Sequence, residues 1–100
     1  MFVLELTYTA PLESVDEYMA DHLGWVKAQY DAGVFLASGR KEPRDGGVIL
    51  AVGNDRAAIE ELVAGDSFSV AGVCEYRVTL FFATTVTAEL AQLKESLPSA

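Results

Sequence analysis

The side chain best suited to proton transfer is His22, the only histidine in the chain. Imidazole titrates near about 6.5, so it can take or give a proton at cellular pH. A carboxylate beside it fixes the tautomer and favours the charged form, and Asp66 is the candidate for that position. A His22–Asp66 pair would perform general acid–base chemistry. The alternative is a core histidine bonded to a backbone carbonyl, with Asp66 as the cap of a short helical turn.

Several nearby side chains could contribute to binding. Arg40 and Arg44 flank a predicted hairpin of an acidic protein, where a guanidinium can hold a substrate carboxylate. Surface solubility is the alternative role for both. Phe68 and Trp25 could each form a pocket wall or part of the core, and the core is the better assignment for Trp25. Cys74 lies in a predicted strand, where we expect no reactivity.

Other chemistries lack their sequence signatures. There is no G-x-S-x-G elbow for a serine hydrolase and no nicotinamide or haem fingerprint. One histidine and one cysteine make neither a metal cluster nor an internal disulfide. The glycines of residues 39–47 join two strands, whereas a phosphate cradle needs a strand followed by a helix. We therefore expect no metal and no cofactor.

The elements that must position these residues follow a βαββαβ pattern. Hydrophobic periodicity predicts strands at residues 2–9, 34–38, 48–53 and 73–82, and helices at about 14–32, 54–65 and 87–97. A capping box of Ser14 and Glu17 is predicted to start the first helix. His22 lies on the apolar stripe of this helix, between Met19 and Val26. The third strand is apolar on both faces, which predicts cover on both.

This pattern predicts an α+β, ferredoxin-like sandwich with an antiparallel sheet, strand order 4-1-3-2 and a C-terminal helix. The order brings the start of the first helix, the 39–46 hairpin and the 65–72 loop to one end of the sheet. His22 is about 12 Å along the helix from its start. We therefore expect His22, Asp66, Arg40 and Arg44 to line one pocket.

Charge and composition restrict the partners. The net charge is −8, which disfavours nucleic acid and anionic membranes. No apolar run reaches the ~18 residues of a membrane span, and the first residues do not resemble a signal peptide. These observations predict a cytoplasmic protein whose partner is a small molecule or another protein.

Three motifs resemble the YciI-like (YCII-related) family over roughly residues 2–83. They are the run Asp21-His22-Leu23-Gly24-Trp25, the strand and hairpin of residues 33–49, and the loop of residues 65–73. The resemblance implies a dimeric α/β barrel, related to muconolactone isomerase, in which two sheets face each other across a homodimer. An oligomer larger than the dimer is left open. The resemblance also implies a YCII-related domain at residues 1–83, which leaves a helical extension at 84–100.

The family resemblance implies a His–Asp dyad, which maps onto His22 and Asp66. The substrate-binding residues predicted around this dyad are Ser38, Gly39, Arg40, Arg44 and Phe68. The family includes a dehalogenase acting on a chlorinated muconolactone. Two positions depart from the pattern of the family. Met19 replaces an arginine three residues before the histidine, and Ser67 replaces the proline after the aspartate.

Two functions are consistent with these features. The first is a cofactor-independent lyase, isomerase or dehalogenase-like enzyme acting on a small organic substrate. The second is a non-catalytic dimer that binds a small ligand or serves as an assembly module. Hydrogen bonding between His22 and Asp66 beside a cavity would favour the enzyme.

Overall fold

A four-stranded antiparallel sheet with helices packed on one face forms the body of the protein. The computed structural model describes residues 1–99. The strands are β1 (Phe2–Tyr8), β2 (Phe35–Arg40), β3 (Gly46–Ala51) and β4 (Cys74–Leu80). The helices are α1 (Leu12–Glu17), α2 (Met19–Asp31), α3 (Arg56–Ala64) and α4 (Ser67–Ala71), followed by a 3₁₀ helix at Ala88–Leu93. No helix in this described part is long and apolar enough to cross a membrane.

The sheet order is β2-β3-β1-β4, and every neighbouring pair is antiparallel. This confirms the predicted order and the ferredoxin-like α+β class. β1 is central and alternates strictly, so Phe2, Leu4 and Leu6 are buried under the helices. Burial of each such side chain stabilises the fold by about 1.5–3 kcal/mol.

The predicted first helix is instead two helices that meet at Tyr18, whose backbone has φ −105° and ψ 6°. The predicted capping box is also wrong, because α1 begins after Pro11 and Ser14 lies inside it. The Tyr18 carbonyl accepts from the His22 N–H at 3.0 Å and from Ser67 Oγ at 3.3 Å. The break therefore joins the first turn of α2 to the start of α4.

A β-bulge at Leu36 changes which side chains of β2 face the helices. Phe35 pairs with Ala51, but Ala37 already pairs with Leu50, so Leu36 is the extra residue. Beyond the bulge, Ser38 pairs with the inward-facing Ile49. The bulge thus places Ser38 and Arg40 on the helix-covered face, where a regular strand would place residues 37 and 39.

β1 and β3 approach closely at Gly46. A Cβ at this position would lie 1.8 Å from the carbonyl oxygen of Leu6. Because no side chain fits there, Gly46 is required for the start of β3 to pair with β1.

The C-terminal segment (residues 83–95) lies across the other face of the sheet. The predicted helix at 87–97 is shorter in the structure, where a 3₁₀ helix at 88–93 is interrupted at Leu90. Both ends of the segment are joined, since Glu95 N–H donates to the Ala83 carbonyl at 2.9 Å and Ala83 N–H donates to Glu95 Oε1 at 2.7 Å. An apolar cavity of about 490 Å³ lies between this segment and the sheet, lined in part by Leu36 and Leu50.

Candidate functional site

His22 and Asp66 lie in hydrogen-bond contact. The Nδ1 atom of His22 is 2.8 Å from Oδ1 and 2.9 Å from Oδ2 of Asp66. The Asp66 side chain is 0% exposed and the His22 side chain is 12% exposed. Because an ionised carboxylate only accepts hydrogen bonds, Nδ1 carries the proton and the second ring nitrogen, Nε2, keeps its lone pair in the neutral imidazole. Nε2 makes no hydrogen bond to residues 1–99, and the ring lines a cavity.

Asp66 is held from three sides. It is the N-cap of α4 and accepts from the Phe68 N–H at 3.1 Å. Tyr76 Oη donates to Oδ2 at 2.5 Å, and His22 completes the set. No buried side-chain nitrogen or oxygen of the described residues lacks a hydrogen-bond partner, so this buried carboxylate is fully satisfied. The two roles considered for Asp66, helix cap and partner of His22, occur together.

Tyr76 is the residue that sequence reasoning missed. It alternates with the other inward-facing residues of β4 and therefore looks like a core residue. Its pairing with Leu6 of β1 places it on the helix-covered face of the sheet. The available signal was its hydroxyl, since a buried tyrosine usually has a hydrogen-bond partner.

Phe68 holds the ring of His22 from the core side. The two rings are stacked, with centroids 4.0 Å apart and planes at 7°. Phe68 is buried and also packs edge-on against Tyr8. The ring of Trp25 lies 6.1 Å from that of His22 and packs edge-on against Phe35 of the core. The imidazole is therefore restricted in position by aromatic contacts as well as by Asp66.

A cavity of about 370 Å³ opens beside His22. All five residues predicted to bind substrate line it: Ser38, Gly39, Arg40, Arg44 and Phe68. Apolar side chains of β1, α2 and β3 form much of the remaining wall, and no acidic residue lines the cavity. The topology thus brings His22 and these five residues to one cavity, while their roles in binding stay predictions. Asp66 was also expected to line this cavity, but it is fully buried and does not.

The polar groups in and around the cavity differ in whether they already have a hydrogen-bond or ion-pair partner. The hydroxyls of Ser38 and Tyr30 are 2.7 Å apart. Arg44 donates to Asp16 at 2.5 Å, and this pairing raises the pKa of Arg44. Arg40 is exposed and forms no ion pair or hydrogen bond through its side chain with residues 1–99. The guanidinium of Arg40 is therefore available to a ligand.

Burial shifts the pKa values of two groups close to Asp66. The pKa of Tyr76 is raised well above its ordinary value, first by burial and then by its hydrogen bond to Asp66. Burial, with a smaller contribution from the Asp66 charge, raises the pKa of Cys74 to about 11. Both side chains therefore stay neutral at physiological pH.

The arrangement can transfer a proton between Nε2 of His22 and a molecule in the cavity. Asp66 would stabilise the imidazolium that forms, and burial strengthens this interaction. Among residues 1–99, no three His, Cys, Asp or Glu side chains are grouped to hold a metal ion.

Comparison with known proteins identifies relatives of this fold. The chain is similar to the solved structure of 5-chloro-2-hydroxyhydroquinone dehydrochlorinase from Burkholderia phenoliruptrix in complex with 2,5-dihydroxybenzoquinone. The TM-score is 0.62 at 17% sequence identity, with 81% of this chain and 93% of that chain covered. At this identity the similarity establishes the shared fold. A search of curated proteins found no match.

The model of one family, the YCII-related domain, matches residues 1–82. The match begins before β1, ends after β4 and includes every residue of the site. The chain therefore belongs to the YCII-related domain family, as the motifs around His22 and Asp66 predicted.

Proposed function

We propose that this YCII-related protein is a cofactor-independent acid–base enzyme acting on a small organic molecule. His22 is the general acid–base through Nε2, and Asp66 orients the ring and stabilises its charged form. The proposal is supported above all by one observation, the contact of 2.8 and 2.9 Å between His22 Nδ1 and a fully buried carboxylate at the edge of a cavity. The same arrangement of a base and its orienting partner recurs in enzymes that move protons.

The cavity favours a small, flat, anionic substrate. Its volume of about 370 Å³ suits a single ring, and its walls are mainly apolar. Arg40 supplies an unpaired positive charge and Arg44 a second guanidinium that is paired with Asp16, although the whole chain has a net charge of −8. The ligand of the similar dehydrochlorinase, 2,5-dihydroxybenzoquinone, is a flat, acidic ring of this kind. We therefore assign Arg40 and Arg44 to the anionic oxygens of the substrate, with Ser38, Gly39 and Phe68 on the cavity wall.

Elimination of a halide is the reaction that we favour. His22 Nε2 would take a proton from the substrate, and the electron pair left behind would form a new π bond as chloride departs. The net change is the loss of HCl, so no oxidant or reductant is needed. Isomerisation would use the same first step, with the proton returned to a different atom.

The test compares variants of His22 and Asp66 with a matched carboxylate variant. Binding of 2,5-dihydroxybenzoquinone is followed by absorbance, and turnover of 5-chloro-2-hydroxyhydroquinone by chloride release. We expect His22→Ala to lower the rate by about 10²-fold or more, because general acid–base catalysis contributes about 10²–10⁴. Asp66→Asn should also lower it. Asp31→Asn, which changes an exposed carboxylate paired with Lys27 on the same helix as His22, should leave the rate unchanged.

Two results would contradict the proposal that the protein is an acid–base enzyme. One is chloride release by the His22→Ala variant at the wild-type rate. The other is tight binding of the quinone by wild type and His22→Ala alike, with no chloride release by either. The second result would instead identify a ligand-binding module that uses the same cavity.

A further inference from the structure

Tyr76 is the one donor that reaches Asp66 from the sheet. His22 comes from α2 and the Phe68 N–H from α4, whereas Tyr76 projects from β4, which is paired along its length with the central strand β1. Its hydroxyl donates a hydrogen bond to the Oδ2 oxygen of Asp66 at 2.5 Å. The carboxylate is therefore anchored to the sheet as well as to the two helices, and the three donors together orient it relative to the ring of His22.

The Tyr76 hydrogen bond also acts on the charge of Asp66. A donor to a carboxylate stabilises the ionised form and lowers its affinity for a further proton. Nδ1 of His22 shares both carboxylate oxygens with the other two donors. When Tyr76 withdraws charge from Asp66, the attraction between Asp66 and the imidazolium weakens, and the imidazole releases its proton more easily.

We propose that Tyr76 is a positioning residue that sets the proton affinity of His22 through Asp66. Its importance for catalysis rests on the acid–base function proposed above, but the coupling from Tyr76 to His22 exists with or without a substrate. Removal of the Tyr76 hydroxyl would therefore strengthen the attraction between Asp66 and the imidazolium.

Other charged or titratable groups lie near His22. Tyr8 of β1 and Arg40 and Arg44 of the β2–β3 hairpin line the same cavity, Tyr18 precedes α2 and accepts from the His22 N–H through its carbonyl, and Cys74 of β4 lies near Asp66. None of these groups donates a hydrogen bond to the Asp66 carboxylate. The effect of the Tyr76 hydroxyl can therefore be separated from theirs by removing one oxygen atom.

The single histidine makes the test direct, because only one imidazole signal exists in the NMR spectrum. We expect Tyr76→Phe to move the midpoint of the His22 titration to higher pH by about half a unit or more, since charge partners shift such midpoints by about one unit or more. Tyr18→Phe is the matched control. It removes the hydroxyl of a half-buried tyrosine, which makes no hydrogen bond to residues 1–99, and it should leave the midpoint in place.

A double-mutant cycle separates coupling from a structural effect. In an Asp66→Asn background, Tyr76→Phe should no longer move the midpoint, because the carboxylate that connects the two rings is gone. If Tyr76→Phe does not fold, 3-fluorotyrosine placed at position 76 keeps the shape of the side chain and is a stronger donor. It should move the midpoint to lower pH.

The proposal is overturned if Tyr76→Phe, or the fluorinated residue, leaves the His22 midpoint where it is in the Tyr18→Phe control. An equal shift with and without the Asp66 carboxylate would overturn it as well. Failure of the proposed function gives a different result, in which the midpoint moves as expected but chloride release does not depend on His22.

Discussion

At the scale of single residues, Asp66 combines a structural role with the chemical role that we propose for it. As N-cap it satisfies the Phe68 N–H at the start of α4. A carboxylate has about four acceptor positions, so capping leaves room for His22 and Tyr76. The cap fixes the backbone from which the carboxylate projects, and this gives the His22–Asp66 pair its geometry.

Cys74 illustrates how the same burial makes a nucleophile inert. Its pKa of about 11 means that roughly one thiol in a thousand is ionised at pH 8. We expect iodoacetamide to modify Cys74 at least about 10²-fold more slowly than a cysteine peptide at pH 8, as measured by mass spectrometry. Full reaction after unfolding in guanidinium chloride is the control. Modification of the folded protein at the peptide rate would show that the thiol is accessible and ionised.

At the scale of elements, Ser67 connects the helix that carries His22 to the helix that begins after Asp66. Its hydroxyl donates to the Tyr18 carbonyl at the break between α1 and α2. We expect Ser67→Ala to lower the free energy of unfolding by about 0.5–1.5 kcal/mol, the usual contribution of one hydrogen bond. Chemical denaturation measures the difference.

Ser67→Pro is the informative companion variant, because the family pattern has proline here. Position 67 is the first residue of α4, where proline is favoured, and Asp66 has φ −62° and ψ 135°, which suit a residue before proline. We expect Ser67→Pro to lose the hydrogen bond to the Tyr18 carbonyl. It should nevertheless regain about 0.4–1 kcal/mol of the free energy of unfolding, because proline reduces the conformational entropy of the unfolded chain. A Ser67→Pro protein less stable than Ser67→Ala would show that the backbone of α4 does not accept proline.

Local pattern and topology were sufficient to predict the strand order and to bring His22 and the two arginines to one cavity, whereas Asp66, also predicted to line it, is fully buried and is connected to the cavity through His22. They were not sufficient for features that depend on distant partners. The helix break at Tyr18 involves neither glycine nor proline and coincides with a contact from Ser67, 49 residues away. The bulge at Leu36 depends on pairing with β3. The C-terminal helix is shortened where Glu95 closes the segment onto Ala83.

At the scale of the whole molecule, the two faces of the sheet have different cover. The helices and the cavity occupy one face, and the C-terminal segment lies on part of the other. The segment is attached through Glu95, whose pKa is lowered by its hydrogen bonds to the Met1 amine and the Ala83 N–H. This attachment therefore stabilises the fold above the ordinary pKa of glutamate and is lost as the pH falls through the lowered value.

The apolar side chains left exposed by this segment suggest a role in assembly. Leu90 is 45% exposed and Phe81 is 39% exposed, and both line the apolar cavity beside the segment; Leu97, beyond the segment, is 70% exposed. Exposed apolar groups that lie together mark interaction surfaces. We propose that the C-terminal extension predicted at residues 84–100, of which residue 100 lies outside the described part of the chain, contributes to a homodimer built on this face of the sheet.

Gel filtration with light scattering at pH 7 tests this assembly. We expect the full chain to elute as a dimer or larger species and a chain ending at Ala83 to elute as a smaller one. Truncation also uncovers Leu36 and Leu50, so a second variant is needed that keeps the segment. The double variant Leu90→Asn and Leu97→Asn retains the Glu95 attachment and removes only apolar contact area, and it should dissociate in the same way. If both variants keep the mass of the full chain, the segment has no part in assembly and serves only to cover the sheet.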